Sequence, residues 1–227
     1  MPFKDKTVVV TGGTGALGAA VVDAIVREGG RCIVPAHRAP KETPPRGVEV
    51  VAGIDLTDEA AVASFYEKAG TIWASIQTAG GFAMGAIAET SKADWLKMQE
   101  TNALTAFLCC REAVKAIRRG GAGGRIVNVA AKAGVMPPAK MAAYTASKAA
   151  VIALTQSLSE EVAVEGIWVN AVLPSIMDTP QNRASFPPTT DFSKWPSVAD
   201  VAATILFLAS PENKVTRGGL VPVYGRS

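Results

Sequence analysis

The stretch Thr7-Val8-Val9-Val10-Thr11-Gly12-Gly13-Thr14-Gly15-Ala16-Leu17-Gly18 decides the fold. Its first five residues are continuously apolar and β-branched, as a strand covered on both faces of a parallel sheet must be. A glycine run follows at once. A helical pattern then extends from about Gly15 to Glu28, where Gly29-Gly30 ends it. Gly13 to Gly18 spell GxGxxG between a strand and a helix. In that setting glycines make a tight turn and let backbone N–H groups approach a pyrophosphate at the helix N-terminus. Without the flanking strand and helix the same letters would mean only a turn.

Outward from this turn, apolar runs alternate with helical patterns to the end of the chain. Strands are expected at Thr7–Thr11, Arg31–Pro35, Val48–Gly53, Ile72–Gln77, Arg125–Val129, Ile167–Val172 and Leu220–Tyr224. Helices are expected at about Gly15–Glu28, Asp58–Lys68, Lys92–Arg118, Lys140–Val164 and Ser197–Ala209. Seven strands joined by helical crossovers predict a doubly wound α/β fold of the Rossmann type, a parallel seven-stranded sheet with helices on both faces. Residues 1–227 read as a single dinucleotide-binding domain, because no linker or repeat divides them. Pro174 to Pro196 is irregular and proline-rich, which predicts a substrate lid.

Composition narrows the function. Of 227 residues, 48% are hydrophobic and 19% charged, so the chain is globular, and a net charge of +3 gives no electrostatic footprint for nucleic acid. Cys32, Cys109 and Cys110 lack metal-ligand spacing and read as buried reduced thiols. No metal site is expected. The chain enters a strand almost immediately and has no membrane-length apolar run, so a cytoplasmic protein without membrane partners is expected.

The second predicted strand ends Val34-Pro35-Ala36-His37-Arg38. An acid there would hold an adenosine ribose and repel a 2′-phosphate. None is present, and Arg38 with His37 is placed to receive that phosphate. NADP(H) is therefore the favoured cofactor, with NAD(H) the alternative. Further along, Tyr144 and Lys148 stand four apart on a predicted helix and share one face. A neighbouring ammonium is expected to lower the phenol's pKa toward working pH, which suits proton transfer beside a hydride donor.

With these residues in place, the chain resembles the short-chain dehydrogenase/reductase family over essentially its whole length. TGGTGALG resembles the family's TGxxxGxG turn, with Thr11, Gly12 and Gly18 matching and Ala16 in place of the middle glycine. The resemblance implies that Thr11, Gly12, Gly13, Thr14, Gly15, Ala16, Leu17 and Gly18 hold the dinucleotide. It implies that Asp55-Leu56 contact adenine and that Thr78-Ala79-Gly80 is the NAG-like motif, with Ala79 and Gly80 at the cofactor. Asn102 matches the asparagine that bends the long helix and anchors a proton-relay water. Tyr144 and Lys148 match the catalytic pair, Lys148 also holding the ribose. Pro174-Ser175-Ile176-Met177-Asp178-Thr179 resembles PGxxxT, which puts Pro174 and Thr179 at the nicotinamide end.

One position departs. Ala131, thirteen residues before Tyr144, stands where the family carries a serine that bonds the substrate carbonyl. Losing such a donor typically costs a few kcal/mol of transition-state stabilisation. Ser175 and Thr145 are the candidate stand-in hydroxyls, and the sequence favours neither. The dihydropteridine reductases of this family also lack that serine, and the GALG, AGGF and LPSIMDTPQNRASFPPTTDFSKW segments are similar to theirs. The resemblance implies reduction of a quinonoid dihydropterin or another electron-poor acceptor, with Tyr144 as proton donor and Phe82, Phe186, Phe192 and Trp195 as pocket walls. A carbonyl reductase (ketone or 3-oxoacyl) weakened at Ala131, and a silent NADP(H)-binding sensor, are the alternatives. The family's habit also implies a homodimer or homotetramer paired through its two long helices.

Overall fold

The computed structural model describes residues 1–40 and 42–227. Its elements, in chain order, are β1 (Thr7–Thr11), α1 (Ala16–Arg27), β2 (Arg31–Ala36), β3 (Val48–Ala52), α2 (Glu59–Ala69), β4 (Ala74–Gln77), α3 (Lys92–Met98) and α4 (Thr105–Arg118). They continue with β5 (Gly124–Val129), α5 (Ala142–Glu161), β6 (Ile167–Pro174), α6 (Pro180–Ala184), α7 (Val198–Ala209) and β7 (Leu220–Val223). All seven strands are parallel, in the order β3-β2-β1-β4-β5-β6-β7. The order reverses beside β1, which opens a crevice at the carboxyl ends of β1 and β4. This is the doubly wound sheet that the alternating pattern predicts.

Side chains of a strand alternate between faces, and β1 divides its valines accordingly. Val8 and Val10 pack with Val21, Ile25, Ile205 and Leu208, on the face covered by α1 and α7. Val9 packs with Phe65, Leu108, Ala113 and Ile126, on the face covered by α2 and α4. All three valines are fully buried, each contributing about 1.5–3 kcal/mol of burial. Val151 and Ile152 of α5 form a third cluster with Ala171 and Leu173 of β6. The core therefore pins β1, and with it the glycine turn at its end. The three cysteines are free and buried. Burial pushes the thiols of Cys32 and Cys110 up to about 12.

Two helices differ from the pattern. The expected single helix over Lys92–Arg118 is three pieces: α3, a π-helical segment Gln99–Leu104, and α4. The cause is Asn102, whose side chain accepts from Gly81 N at 3.0 Å and donates to Gly81 O at 3.1 Å. A widened turn lets it reach that loop. The expected Lys140–Val164 helix starts later, at Ala142, because Lys140 has φ of 62°. It ends earlier, at Glu161, where a 3₁₀ turn takes the chain into left-handed Gly166.

Candidate active site

Steric requirements shape the glycine turn. Gly12 has φ of +66°, and a Cβ there would lie 2.7 Å from Ala79 N. A Cβ on Gly13 would lie 2.8 Å from both methyls of Val34, and one on Gly18 only 2.2 Å from Gly12 O. These three positions need glycine so that β1, β2, α1 and the loop after β4 can close on one another. Gly15 is different: its nearest obstacle is Gly12 O at 3.3 Å. Thr14, Gly15 and Ala16 are exposed at the tip, whereas Leu17 turns into the core. Helix α1 has no side-chain cap and no acid in its first turn. Its amino end therefore presents uncapped N–H groups and no repelling carboxylate, which fits a dinucleotide's phosphates. Thr11 and Thr78 lock the floor, Thr78 Oγ1 donating to Thr11 O at 2.6 Å and Ala79 N to Thr11 Oγ1 at 3.4 Å.

At the end of β2, His37 and Arg38 are exposed, and no acid occupies the strand end. Asp55 follows β3. Its carboxylate accepts from Thr57 N at 2.8 Å and Thr57 Oγ1 at 2.7 Å, and these bonds lower its pKa, with a smaller contribution from His37. Leu56 beside it is buried in the core. The residues expected at the adenine end thus follow β2 and β3, on the side of β1 away from β4.

Across the crevice, α5 supplies Tyr144, Ser147 and Lys148. A Cβ on Gly80 would lie 2.7 Å from Asn102 Oδ1 and 3.3 Å from Lys148 Nζ, so the Ala79–Gly80 loop, the π segment and α5 meet at one point. Asn102 Nδ2 also donates to Ser147 Oγ at 3.1 Å, and Ser147 Oγ donates to Tyr144 O at 2.7 Å. Ser147 is fully buried. The sequence reading passed over it, although i and i+3 spacing from Tyr144 sets it on the adjoining helix turn.

The electrostatics correct one expectation. Lys148 Nζ donates to Val129 O at 2.9 Å, and burial pulls its pKa down to about 8. Burial pushes the Tyr144 phenol up to about 12. The ammonium does not acidify the phenol, because desolvation dominates both groups. Tyr144 is therefore a protonated phenol at neutral pH, the state a proton donor needs.

Ala131 is buried in an extended conformation just after β5. Of the two substitute hydroxyls, Ser175 Oγ is committed to Tyr224 O at 2.8 Å and takes a 2.8 Å bond from Ser227 Oγ. Thr145 Oγ1 is buried without a hydrogen-bond partner. Phe82, largely exposed, sets its ring edge-on to Tyr144 with centroids 5.0 Å apart. Phe186 and Phe192 flank Trp195 at 5.0 and 4.9 Å. That cluster belongs to the 174–196 segment, which is largely self-shaped. Thr179 caps α6 by accepting from Asn182 N at 3.1 Å, Asn182 Nδ2 reaches Met177 O at 2.8 Å, and Arg183 pairs with Asp178 at 2.5 and 2.7 Å. Pro174 ends β6 and pairs with Val223. A groove of about 480 Å³ lies beyond β7, lined by Lys194, Trp195, Asp200, Thr204, Tyr224 and Arg226. None of the Tyr144 group borders it.

A doubly wound sheet with a glycine turn at β1 and a Tyr-x-x-x-Lys pair after β5 defines a class of nucleotide-dependent oxidoreductases. The short chain dehydrogenase family matches residues 6–189, and the chain belongs to that family. Among similar proteins, a 3beta-hydroxysteroid dehydrogenase of Mediterraneibacter gnavus is 32% identical over 81% of this chain and 70% of its own length. The 2,5-dichloro-2,5-cyclohexadiene-1,4-diol dehydrogenase LinX of Sphingobium indicum is 31% identical over 97% of this chain and 95% of its own. The structure of ElxO with NADP bound superimposes with a TM-score of 0.91 at 26% identity, covering 97% of each chain. The protein is an oxidoreductase of this family. Among the described residues, no helix is long and apolar enough to cross a membrane and no acidic, histidine or cysteine cluster could hold a metal ion.

Proposed function

We propose that the protein is an NADP(H)-dependent reductase of an unsaturated, electron-poor acceptor, of which a quinonoid dihydropterin is the type. A bound reduced nicotinamide supplies the hydride. The chain's residues do the rest. Gly12 to Gly18 and the uncapped end of α1 hold the phosphates, Arg38 and His37 take a 2′-phosphate, and Asp55 with Leu56 borders the adenine. Ala79, Gly80, Pro174 and Thr179 border the nicotinamide end. Lys148 holds the ribose from its present place against Gly80. Tyr144 donates the proton that completes the two-electron reduction, and Asn102 supports proton supply. The segment 174–196 covers the acceptor as a lid on what we read as one domain.

One observation carries the choice of acceptor. Ala131 stands in the serine's place without a hydroxyl and Ser175 Oγ is committed to Tyr224 O, which leaves Thr145 Oγ1, buried in α5, as the one uncommitted hydroxyl of the two candidates. An acceptor that is already electron-poor needs polarisation by a hydroxyl least. The NADP-bound neighbour supports the cofactor class. A second reading, a carbonyl reductase, is favoured by the relatives at 31–32% identity, whose names are those of hydroxysteroid and diol dehydrogenases.

We further propose a cytoplasmic homodimer or homotetramer, an idea supported by the exposed Leu104 and Phe107 on the π segment and α4.

The test offers NADPH with a quinonoid dihydropterin, a quinone and a ketone panel, and compares NADH. Turnover confined to the first two acceptors supports the proposal. Ketone turnover that rises in Ala131→Ser supports the second reading. Tyr144→Phe should lose about 10²–10⁴-fold in kcat with cofactor binding kept. Tight NADPH binding without any turnover would mean a sensor, and a preference for NADH would remove the role of Arg38.

A further inference from the structure

Two loops at the carboxyl end of the sheet carry no polar side chain. Residues 79–88, after β4, read AGGFAMGAIA, and residues 133–139, after β5, read AGVMPPA. β4 and β5 are neighbours in the sheet, so both loops leave the same end. Loops in water are ordinarily polar. Here Phe82, Met84, Val135 and Met136 are 45–59% exposed. Single apolar side chains at a surface need no explanation, but a contiguous exposed set marks a binding surface.

Both loops are fastened beside Tyr144. Asn102 holds Gly81 through both of its polar backbone atoms, at 3.0 and 3.1 Å, and Gly85 N donates to Lys140 O at 2.8 Å. The stretch between, Phe82 to Met84, is thus pinned at one end to the π segment and at the other to the residue two before α5. Its Phe82 ring stands edge-on to Tyr144, with centroids 5.0 Å apart. The second loop starts against α5: a Cβ on Gly134 would lie 2.8 Å from Ile152 Cδ1 and 3.2 Å from Lys148 C. Val135 and Met136 follow, and the loop ends at Lys140. It therefore runs beside the turns of α5 that carry Tyr144 and Lys148, and the Gly85–Lys140 bond joins it to the first loop.

Where this surface starts decides what covers it. Phe82 touches the phenol, so a protein or a second copy seated on the rim would cover the proton donor as well. A substituent of the acceptor reaches the rim from inside the site. The rim offers no charge and no hydrogen-bonding side chain, so it binds only by taking hydrocarbon out of water. Its two methionines are unbranched and adaptable, which suits a flexible chain. We infer that the acceptor is an electron-poor ring, a quinone, bearing a linear hydrocarbon substituent that lies along these two loops while the ring meets Tyr144. The inference rests on the reductase reading of the same site and narrows its acceptor. The step consumes NADPH and one proton, which Tyr144 passes to the quinone, and leaves hydroquinone and NADP⁺.

2-Methyl- and 2-hexyl-1,4-benzoquinone test it, since they share a ring and differ by five methylenes. With NADPH as donor, kcat and KM are measured for both in the native protein, in the double variant Met84→Gln/Met136→Gln, and in Val164→Gln, whose valine is exposed beyond the far end of α5. All three substitutions fall on exposed side chains, so the fold is kept. A half-buried methylene brings about a twofold gain. The native protein should therefore favour the hexyl compound by about 10–30-fold in kcat/KM, through KM, with similar kcat. The double variant should cut that preference to about threefold or less, and Val164→Gln should keep it. Equal kcat/KM for the two compounds in native protein, or a preference that the double variant retains, overturns the inference. A double variant that retains the preference and sediments as a smaller species than native protein would assign the rim to a second copy. If native protein reduces neither compound, the reductase reading fails. Calorimetric titration of the NADP⁺-loaded protein with both quinones then decides alone: tighter binding of the hexyl compound that the double variant loses supports the inference, and equal affinities, or a preference that survives in the double variant, overturn it.

Discussion

Ser147 Oγ accepts a 3.1 Å hydrogen bond from Asn102 Nδ2, and this contact joins the π segment to the helix turn that carries Tyr144. The same oxygen donates to Tyr144 O at 2.7 Å, and Asn102 in turn brackets both polar backbone atoms of Gly81. Three elements distant in sequence are thereby fixed by two side chains. Ser147 is fully buried, and its bond with Asn102 is shielded from water.

Ser147→Ala should therefore destabilise the protein by about 1–2 kcal/mol, the cost of leaving part of the Asn102 amide unpaired. Urea unfolding measures it. We also expect kcat to fall about tenfold while KM for NADPH stays near its native value, because the glycine turn is untouched. A stability loss with unaltered kcat would show that the bond holds the helix without positioning the phenol.

The glycine turn predicts a contrast within one motif. Gly18→Ala puts a methyl 2.2 Å from Gly12 O and 2.7 Å from Gly13 Cα, both rigid backbone. It should cost about 1–3 kcal/mol or more and abolish NADPH binding. Gly15→Ala meets only Gly12 O, at 3.3 Å, and should keep both fold and binding largely intact. Thermal melts and NADPH titrations of the two variants check this. A lowered melting temperature in Gly15→Ala equal to that of Gly18→Ala would contradict the steric contrast.

Lys148 gives a pH signature to the cofactor-free protein. Its pKa falls from the ordinary 10.5 to about 8 on folding. Between those values the unfolded chain binds the proton and the native chain does not, so this group makes stability rise with pH. Below about pH 8 both states hold the proton, and the native state carries the buried cation at full cost. Lys148→Met should thus be more stable than native protein at pH 7, with the gap closing toward pH 10. Denaturant midpoints across that range measure it, and a gap independent of pH would contradict the burial argument.

Phe82 should matter through acceptor binding. Edge-to-face aromatic pairs contribute about 0.5–1.5 kcal/mol beyond area. Phe82→Leu should therefore raise KM for planar acceptors by a factor of about 2–12 and leave the melting temperature close to native, since the ring is largely exposed. Unchanged KM with a lowered melting temperature would make Phe82 a packing residue for Tyr144.

Much of the fold was legible because its signals are local. β1, the glycine turn and the alternation of strands with helices follow from periodicity and glycine placement in short windows. The sheet order was not legible, because it depends on which strands meet across crossovers. Within the site, Tyr144, Lys148 and Asn102 come together as the pattern implied. Periodicity gives no sign of the π segment, because its cause is a side chain reaching Gly81, twenty-one residues away, and only the resemblance implied a bend at Asn102. The phenol's pKa was misjudged because spacing reveals a neighbouring cation but not the desolvation of both groups. Asp178, Asn182 and Arg183 lie in the stretch similar to the dihydropteridine reductases, and their bonds go to Thr179, to one another and to Met177, which shapes the segment itself.

The central place of β1 has a consequence for how the protein is made. Its two neighbours are β2 and β4, and Ala79, which walls the phosphate turn at Gly12, arrives only after β4. A nascent chain leaving the ribosome can pair β1 with β2 early, but the pocket stays one-sided until about forty more residues, as far as Ala79, emerge. The dinucleotide therefore cannot template the first βαβ unit during synthesis. It can only reward a chain that has already crossed back and completed the middle of its sheet.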